Sequence, residues 1–308
     1  MNSPVNKDLL QMQIALPLPC IFCGYDLKGL HANSECPECS EPVRLTVFAT
    51  VDPVSNRMAP LPNSKYIGNL LAVITVLCSL SGILMIVPSC ILRIFESDYS
   101  QISPTLIQRL PMGGYMRQFL ELCFASGACA FCAFVLTIFL LKHLSENKLL
   151  NSCRNATLLM SAGLLGWSLC MWSFSYTIPL TLNPAPNSSL YSFLYTTLLP
   201  TLAAACVFFG LRLIVPPIGK HSRKFRQANM SRQRMNDMLY GVLAVFVGRC
   251  FVELSTPETL LYAFGVIIEV MSFTLIAVGL GYLVWNAFWI RRALIKPPPS
   301  IKELMRET

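Results

Sequence analysis

Six apolar stretches, each long enough to cross a lipid bilayer, constrain the fold of this 308-residue chain more than any other feature. A transmembrane helix needs about 20 mainly apolar residues to cross a hydrocarbon core about 30 Å thick. The stretches lie at residues 66–92, 118–142, 156–178, 191–215, 237–254 and 259–290. Charged residues make up only 13% of the chain, too few to surround such helices with a water-facing surface. The sequence therefore predicts an all-α membrane protein with about six transmembrane helices.

Lysine and arginine in the connecting segments predict which side of the membrane each connection faces. With both termini placed in the cytoplasm, 20 of the 24 basic residues lie on the cytoplasmic side and three lie outside. Seven of the cytoplasmic ones fall in residues 212–236. Residues 1–19 lack an apolar run long enough for a cleaved signal peptide. We therefore expect a multi-pass protein of the cytoplasmic (inner) membrane with both termini cytoplasmic.

Four cysteines near the N-terminus, Cys20, Cys23, Cys36 and Cys39, follow the spacing C-x2-C-x12-C-x2-C. Two closely spaced pairs bring four thiolates to one tetrahedral point, which is the arrangement of structural zinc sites. Four protein ligands leave the metal no open position for a substrate, so the site is expected to be structural. The other nine cysteines lie mostly in apolar stretches and are interpreted as small hydrophobic residues. The pattern predicts Zn2+ as the cofactor.

The segment CIFCGYDLKGL followed by CPEC resembles the short zinc ribbon at the N-terminus of uncharacterised bacterial multi-pass membrane proteins. The resemblance covers about residues 18–44, implies Zn2+ at the four cysteines and implies no activity. Ser40 stands where that family usually has glycine. The CGY triplet is also similar to rubredoxin, an iron electron carrier, in which the gap between the cysteine pairs is much longer. Iron is therefore the alternative metal.

Composition divides the chain into four segments. These are a cytoplasmic zinc ribbon at residues 1–50, a proline-rich linker at 51–65, the six-helix bundle at 66–292 and a basic cytoplasmic tail at 293–308. Within the ribbon, VRLTVF at residues 43–48 alternates like a β-strand and is expected to extend a small sheet. Ser255 followed three residues later by Glu258 is a capping-box pattern, and it predicts the start of the last helix there.

Three ionisable residues, Arg249, Glu253 and Glu269, form a possible intramembrane polar site, since a charge inside a membrane is costly and usually functional. Arg249 and Glu253 are four residues apart and share a helical face, so a local ion pair is the simpler interpretation. Glu269 is expected near the middle of the bilayer. It is interpreted as protonated, as paired with Arg249 across the last helical hairpin, or as part of a polar path.

The sequence contains none of the common catalytic motifs and no histidine pair within the apolar stretches, so no enzymatic activity is predicted. The ribbon with its metal carries a net charge of about −4, which disfavours nucleic acid as a partner. Besides the lipid bilayer, other membrane or cytoplasmic proteins are the expected partners, and residues 212–236 of the same chain are a further docking candidate.

Three functions are consistent with these features. The leading hypothesis is a scaffold or assembly component whose zinc ribbon makes protein contacts. The first alternative is a transporter or channel in which Arg249 and Glu269 belong to a polar path. The second alternative is a membrane-tethered redox protein with a rubredoxin-like iron site.

Overall fold

The computed structural model describes residues 12–52, 61, 63–99, 112–145, 151–181, 193–228, 235–256, 259–299 and 301–306. The helices are α1 (Val43–Thr50), α2 (Ser64–Tyr99), α3 (Met112–Ser145), α4 (Asn151–Thr181), α5 (Leu199–Gly219), α6 (Arg223–Ala228), α7 (Met235–Leu254), α8 (Leu260–Ile295) and α9 (Ile301–Leu304). The strands are β1 (Gln13–Ile14) and β2 (Met305–Arg306). A π-helical turn, Leu194–Leu198, leads directly into α5.

Five helices in the described part of the chain are long and apolar enough to cross a membrane. Their apolar segments are Ser64–Cys90, Gln118–Leu144, Cys153–Ser173, Leu194–Gly219 and Leu260–Ile295. The remaining long helix, α7, has 20 residues and carries three of the chain's charged side chains, Asp237, Arg249 and Glu253. The fold is therefore that of a helical membrane protein, with five candidate spans that length and composition identify.

The first and last long helices pack side by side in opposite directions. A Cβ atom built at Gly68, near the start of α2, would lie 3.3 Å from the Leu294 side chain near the end of α8. Farther along α2, a Cβ at Gly82 would lie 2.8 Å from Leu280. The contacts move toward the start of α8 as they move toward the end of α2, so the two helices are antiparallel.

Helices α7 and α8 form an antiparallel hairpin whose backbones approach closely at two glycines. Gly241 meets Ile276, and Gly248 meets Gly265 nearer the turn. A Cβ atom at Gly248 would lie 2.8 Å from the Gly265 carbonyl oxygen, which is closer than packed atoms allow. Small residues at such crossings let transmembrane helices pack backbone to backbone. Helix α7 thus lies directly against one of the five candidate spans.

The N-terminal ribbon has an apolar core of its own, and the C-terminal tail contributes to it. Strand β1 pairs antiparallel with β2, and the Ala15 N–H donates to the Leu304 carbonyl at 2.8 Å. The Leu304 side chain is only 1% exposed and belongs to the same buried cluster as Ile14, Leu27 and Val47. The two ends of the described chain therefore meet on one side of the bundle.

The expected strand at residues 43–48 is wrong, because these residues form most of helix α1. Val43, Thr46 and Val47 are the buried residues of this helix, and their spacing of three and four places them on one helical face. Val43 and Val47 pack into the ribbon core. Burial of this apolar face favours the helix, although the sequence also alternates like a strand.

Of the proposed linker, the described residues include buried Val51 and Asp52, whereas residues 53–60 lie outside the described part.

Helix α8 begins at Leu260, four residues later than the expected capping box with its N-cap at Ser255 predicts. Its N-cap is Thr259, whose side chain accepts a hydrogen bond from the Tyr262 N–H. The Ser255 hydroxyl instead donates to the Phe251 carbonyl at the end of α7. Glu258, the other half of the expected capping box, lies outside the described residues.

Helix α8 is 36 residues long, about 54 Å at 1.5 Å per residue, so it exceeds the thickness of one bilayer.

Candidate metal centre

The sulfur atoms of Cys20, Cys23, Cys36 and Cys39 all lie within 4.8 Å of one another. The Cys20 and Cys39 sulfurs are 3.7 Å apart, and the Cys23 and Cys36 sulfurs are 3.5 Å apart. A disulfide bond would require about 2.0 Å, so the four thiols are separate. Sulfurs around a tetrahedral ion with bonds of about 2.3 Å lie about 3.8 Å apart. The four predicted residues therefore meet at a site that can hold one metal ion.

Two tight turns with the same hydrogen bond present the two cysteine pairs. The Gly24 N–H donates to the Cys20 carbonyl at 2.9 Å, and the Ser40 N–H donates to the Cys36 carbonyl at 2.8 Å. Both donors have a left-handed backbone, with φ of 82° at Gly24 and 57° at Ser40. Glycine adopts this region without a steric penalty, whereas serine has a Cβ atom that disfavours it. The second turn is therefore built with local strain that the first turn lacks.

Helix α1 contacts the first cysteine turn through the side chain of Thr46. The Ile21 N–H donates to the Thr46 hydroxyl oxygen at 3.4 Å, and that hydroxyl lies 4.0 Å from the Cys20 sulfur. Thr46 is fully buried between the turn and the apolar core. Farther along the ribbon, the Asp26 carboxylate accepts from the backbone N–H groups of Leu18 and Lys28 at 3.0 and 3.1 Å. These bonds tie the first cysteine pair to the remainder of the ribbon.

Backbone donors and crowded sulfurs move the thiol pKa values in opposite directions. Hydrogen bonds from the N–H groups of Phe22 and Cys23 lower the pKa of Cys20 to about 6. A backbone hydrogen bond from Glu41 also lowers the pKa of Cys39, but burial and the neighbouring sulfurs outweigh it and raise that pKa to about 12. Thiols this close cannot all ionise without a cation, because neighbouring thiolates repel one another. The electrostatics are those of a site that a divalent ion completes.

Two arginines from the predicted basic segment contact the end of the ribbon. The Arg226 guanidinium lies 2.6 and 2.5 Å from the two carboxylate oxygens of Asp52. The Arg223 side chain donates to the Phe48 and Ala49 carbonyls at 3.2 and 2.5 Å. These carbonyls lie in the last turn of α1, where a cation complements the helix dipole. We call Arg223 and Arg226 the arginine clamp.

The buried ionisable residues lie apart from the sulfur cluster, in the α7–α8 hairpin. The Arg249 Nε atom is 2.7 Å from Glu269 Oε1, and the Glu269 side chain is 0% exposed. Among the alternatives for Glu269, this geometry corresponds to pairing with Arg249 across the hairpin. Glu253 is exposed, one helical turn beyond Arg249.

No known protein family, curated protein or solved structure matches this chain. We therefore infer its function from the arrangement of its own residues.

Proposed function

We propose that this chain is a multi-pass scaffold or assembly protein of the cytoplasmic membrane, whose structural zinc ribbon presents a surface to other proteins. The observation that carries the proposal is a group of large apolar side chains on the ribbon that are each 40% to 54% exposed. They are Ile21, Phe22, Tyr25, Leu45 and Phe48, and we call them the apolar ribbon surface. The first three belong to the cysteine turn, and the other two belong to α1.

The turn and the helix that carry this surface are held together by the Ile21–Thr46 hydrogen bond. Leu45 and Phe48 are three residues apart on α1 and point away from the buried face of that helix. Exposed apolar groups that cluster on a small domain commonly mark a contact site for another macromolecule. The arginine clamp contacts the same helix, which supports a surface presented at a fixed position and lowers the entropic cost of binding.

Zinc is the metal that we assign to the ribbon. The donor set consists of four sulfurs, and soft thiolates in a tetrahedron suit Zn2+. A closed set of four protein ligands supports a structural role. The ribbon core is small, and domains of this size usually need a metal or disulfides for stability.

We also propose six membrane crossings, with α7 as the sixth and with both termini cytoplasmic. The pairing of β1 with β2 supports an even number of crossings, because it requires both ends on one side of the membrane. The antiparallel packing of α2 on α8 supports the same count, since a chain that crosses alternately runs in opposite directions in its first and sixth spans. The excess of basic residues supports the cytoplasm as the side that holds both ends.

Co-purification from native membranes tests the scaffold role. We expect the double variant Ile21→Ser, Phe22→Ser to lose most specifically bound proteins, because it removes the apolar contacts and keeps all four metal ligands. The matched control is Leu16→Ser, which changes an exposed apolar ribbon residue outside the apolar ribbon surface. If the double variant retained the same partners as the wild type, the apolar ribbon surface would not be a protein-binding site.

Metal analysis of the same samples tests the zinc assignment. We expect about one zinc ion per chain in the wild type, and none in Cys36→Ser, because three sulfurs no longer close the tetrahedron. Cys132→Ser is the control, since this exposed cysteine lies on α3 and outside the sulfur cluster, so it should retain the metal. Stoichiometric iron in the wild type would replace the zinc assignment with the rubredoxin-like alternative.

A further inference from the structure

A cavity of about 370 Å³ lies inside the helical bundle, toward the end opposite the ribbon. Near the ribbon side, the Ser64 hydroxyl at the start of α2 donates to the Leu294 carbonyl at 3.2 Å. Ser89, which lines the cavity, is 25 residues farther along α2, or about 37 Å at 1.5 Å per residue. Helices α2, α3, α4, α5, α7 and α8 and the π-helical turn all contribute to the wall. The cavity is large enough for a compact organic ligand.

The wall is mainly apolar and includes several aromatic rings. These rings belong to Phe119, Trp167, Phe208 and Phe273. The Trp167 indole N–H donates to the Ser126 hydroxyl at 3.2 Å, and Ser126 is also hydrogen-bonded to Ser81 on α2. This polar network joins three of the helices and fixes one side of the cavity. Aromatic faces attract cations through their quadrupoles, most strongly where water is excluded.

Two charged side chains, Arg249 and Glu253, line the cavity within the described part of the chain. Arg249 is held by the buried Glu269 carboxylate at 2.7 Å, so the positive charge on the wall is balanced. Glu253 lies one turn farther along α7, toward the exposed end of that helix. The three side chains together have a formal charge of −1. An anionic ligand would therefore meet an arginine already held in an ion pair and an opposing carboxylate.

We propose that this cavity is a binding site for a lipophilic organic cation, with Glu253 as the charge that selects it. The apolar and aromatic wall accepts the hydrocarbon body, and the carboxylate attracts the positive centre. The Arg249–Glu269 pair fixes α7 against α8 and keeps Arg249 from repelling the ligand. The site involves no residue of the ribbon and is independent of the scaffold role.

Equilibrium binding to the purified full-length protein in lipid nanodiscs tests the proposal. The probe is tetraphenylphosphonium, and the charge-reversed control is tetraphenylborate, which has nearly the same size and shape. Saturable binding, displaced by excess unlabelled probe, is measured after subtraction of uptake by empty nanodiscs. We expect one tetraphenylphosphonium site per chain, with an affinity at least tenfold higher than that for tetraphenylborate.

Two variants locate the site. Glu253→Gln should weaken tetraphenylphosphonium binding about tenfold, whereas Glu35→Gln, an exposed carboxylate on the ribbon, should leave it unchanged. Ala204→Phe should abolish binding because Ala204 lines the cavity, and Leu202→Phe on the exposed side of the same helix should not. Equal affinity for both probes, or an unchanged affinity in Glu253→Gln, would overturn the proposal. The Glu253→Gln result decides even if Ala204→Phe fails to fold.

Discussion

At the scale of single residues, the two metal-binding turns have the same hydrogen bond but different residues at the left-handed position. Gly24 adopts a φ of 82° freely, and Ser40 adopts a φ of 57° against its intrinsic preference. A Cβ atom built at Gly24 would meet nothing within 4 Å, so the demand for glycine there comes from the backbone and not from crowding. By the same reasoning, serine at position 40 makes the ribbon less stable than glycine would at that position.

We expect Ser40→Gly to stabilise the ribbon by about 1 kcal/mol, because it removes the left-handed penalty and leaves the Ser40 N–H bond to Cys36 in place. Gly24→Ala should destabilise it by about 1–2 kcal/mol for the converse reason. Both effects are measured as the rate of zinc loss to a chelator and as the unfolding temperature of the ribbon. Faster zinc loss in Ser40→Gly than in the wild type would contradict this account of the second turn.

The thiol pKa values predict how metal binding depends on pH. In the metal-free ribbon, Cys39 has a pKa of about 12 and is protonated at neutral pH, whereas Cys20 has a pKa of about 6 and is mostly ionised. Metal binding requires thiolates, so it must displace the protons that remain. The displaced protons compete with the metal, so a lower proton concentration favours binding, and the apparent zinc affinity should rise between pH 6 and pH 8. Chelator competition measures this trend, and a pH-independent affinity would contradict it.

At the scale of secondary-structure elements, the arginine clamp joins the ribbon to the bundle. Asp52 is only 3% exposed, and both of its carboxylate oxygens accept charge-assisted hydrogen bonds from one nitrogen, Nη2, of the Arg226 guanidinium. Arg223 covers the carbonyls at the end of α1, immediately before this ion pair. The clamp therefore acts on two consecutive parts of the chain, the last turn of α1 and the buried carboxylate that follows it.

We expect Arg226→Glu to release α1 from the bundle, since it places a second carboxylate beside buried Asp52. The loss should be about 1–3 kcal/mol, between the values for exposed and fully buried pairs, because Arg226 is partly exposed. Hydrogen exchange of residues 43–52 measures the release. The control Lys224→Glu changes an exposed neighbour and should leave the exchange unchanged. The double variant Asp52→Arg, Arg226→Asp should restore much of the protection.

Local sequence patterns were sufficient to predict the cysteine cluster and the long apolar helices. The spacing of the cysteines predicted their meeting point, because two short turns are enough to bring the sulfurs together. Runs of apolar residues predicted the long helices, because solvation by lipid selects both their length and their composition. Helix α1 was missed because VRLTVF alternates at the period of a strand, and only its packing on the ribbon core reveals the helical face of Val43 and Val47.

The residue partners of most contacts between distant segments could not be predicted from local patterns. No property of the sequence around Leu304 indicates that it completes a core formed by residues 14–51, because a leucine in a basic tail fits many environments. Asp52 likewise gives no sign of its partner, which is 174 residues away. The pairing of Arg249 with Glu269 was one of several alternatives from the sequence, because the choice among them depends on the register of α7 against α8, where Gly248 and Gly265 meet.

At the scale of the whole molecule, the pairing of β1 with β2 restricts how the chain between them can cross the membrane. Strand pairing and the buried Leu304 side chain hold the two ends of the described chain together in the ribbon. A bilayer cannot pass through that ribbon, so this pairing supports our proposal that the intervening chain crosses the membrane an even number of times. Length and composition identify five candidate spans, and the sixth that we propose is α7, which packs along α8 over several turns. Arg249 is compatible with this role because it is paired with Glu269 inside the hairpin.

Reporter fusions along the chain test this topology, and the decisive position lies between α7 and α8. We expect alkaline phosphatase, which folds only outside the cytoplasm, to be active when fused after Thr256 and inactive when fused after Ala228 or at the C-terminus. A fluorescent protein that requires the cytoplasm should give the opposite pattern. If α7 did not cross, the fusion after Thr256 would stay cytoplasmic and the C-terminal fusion would become external. Strand β2 could then not pair with β1 on the ribbon side, so that pattern would refute the six crossings and the closed ribbon together.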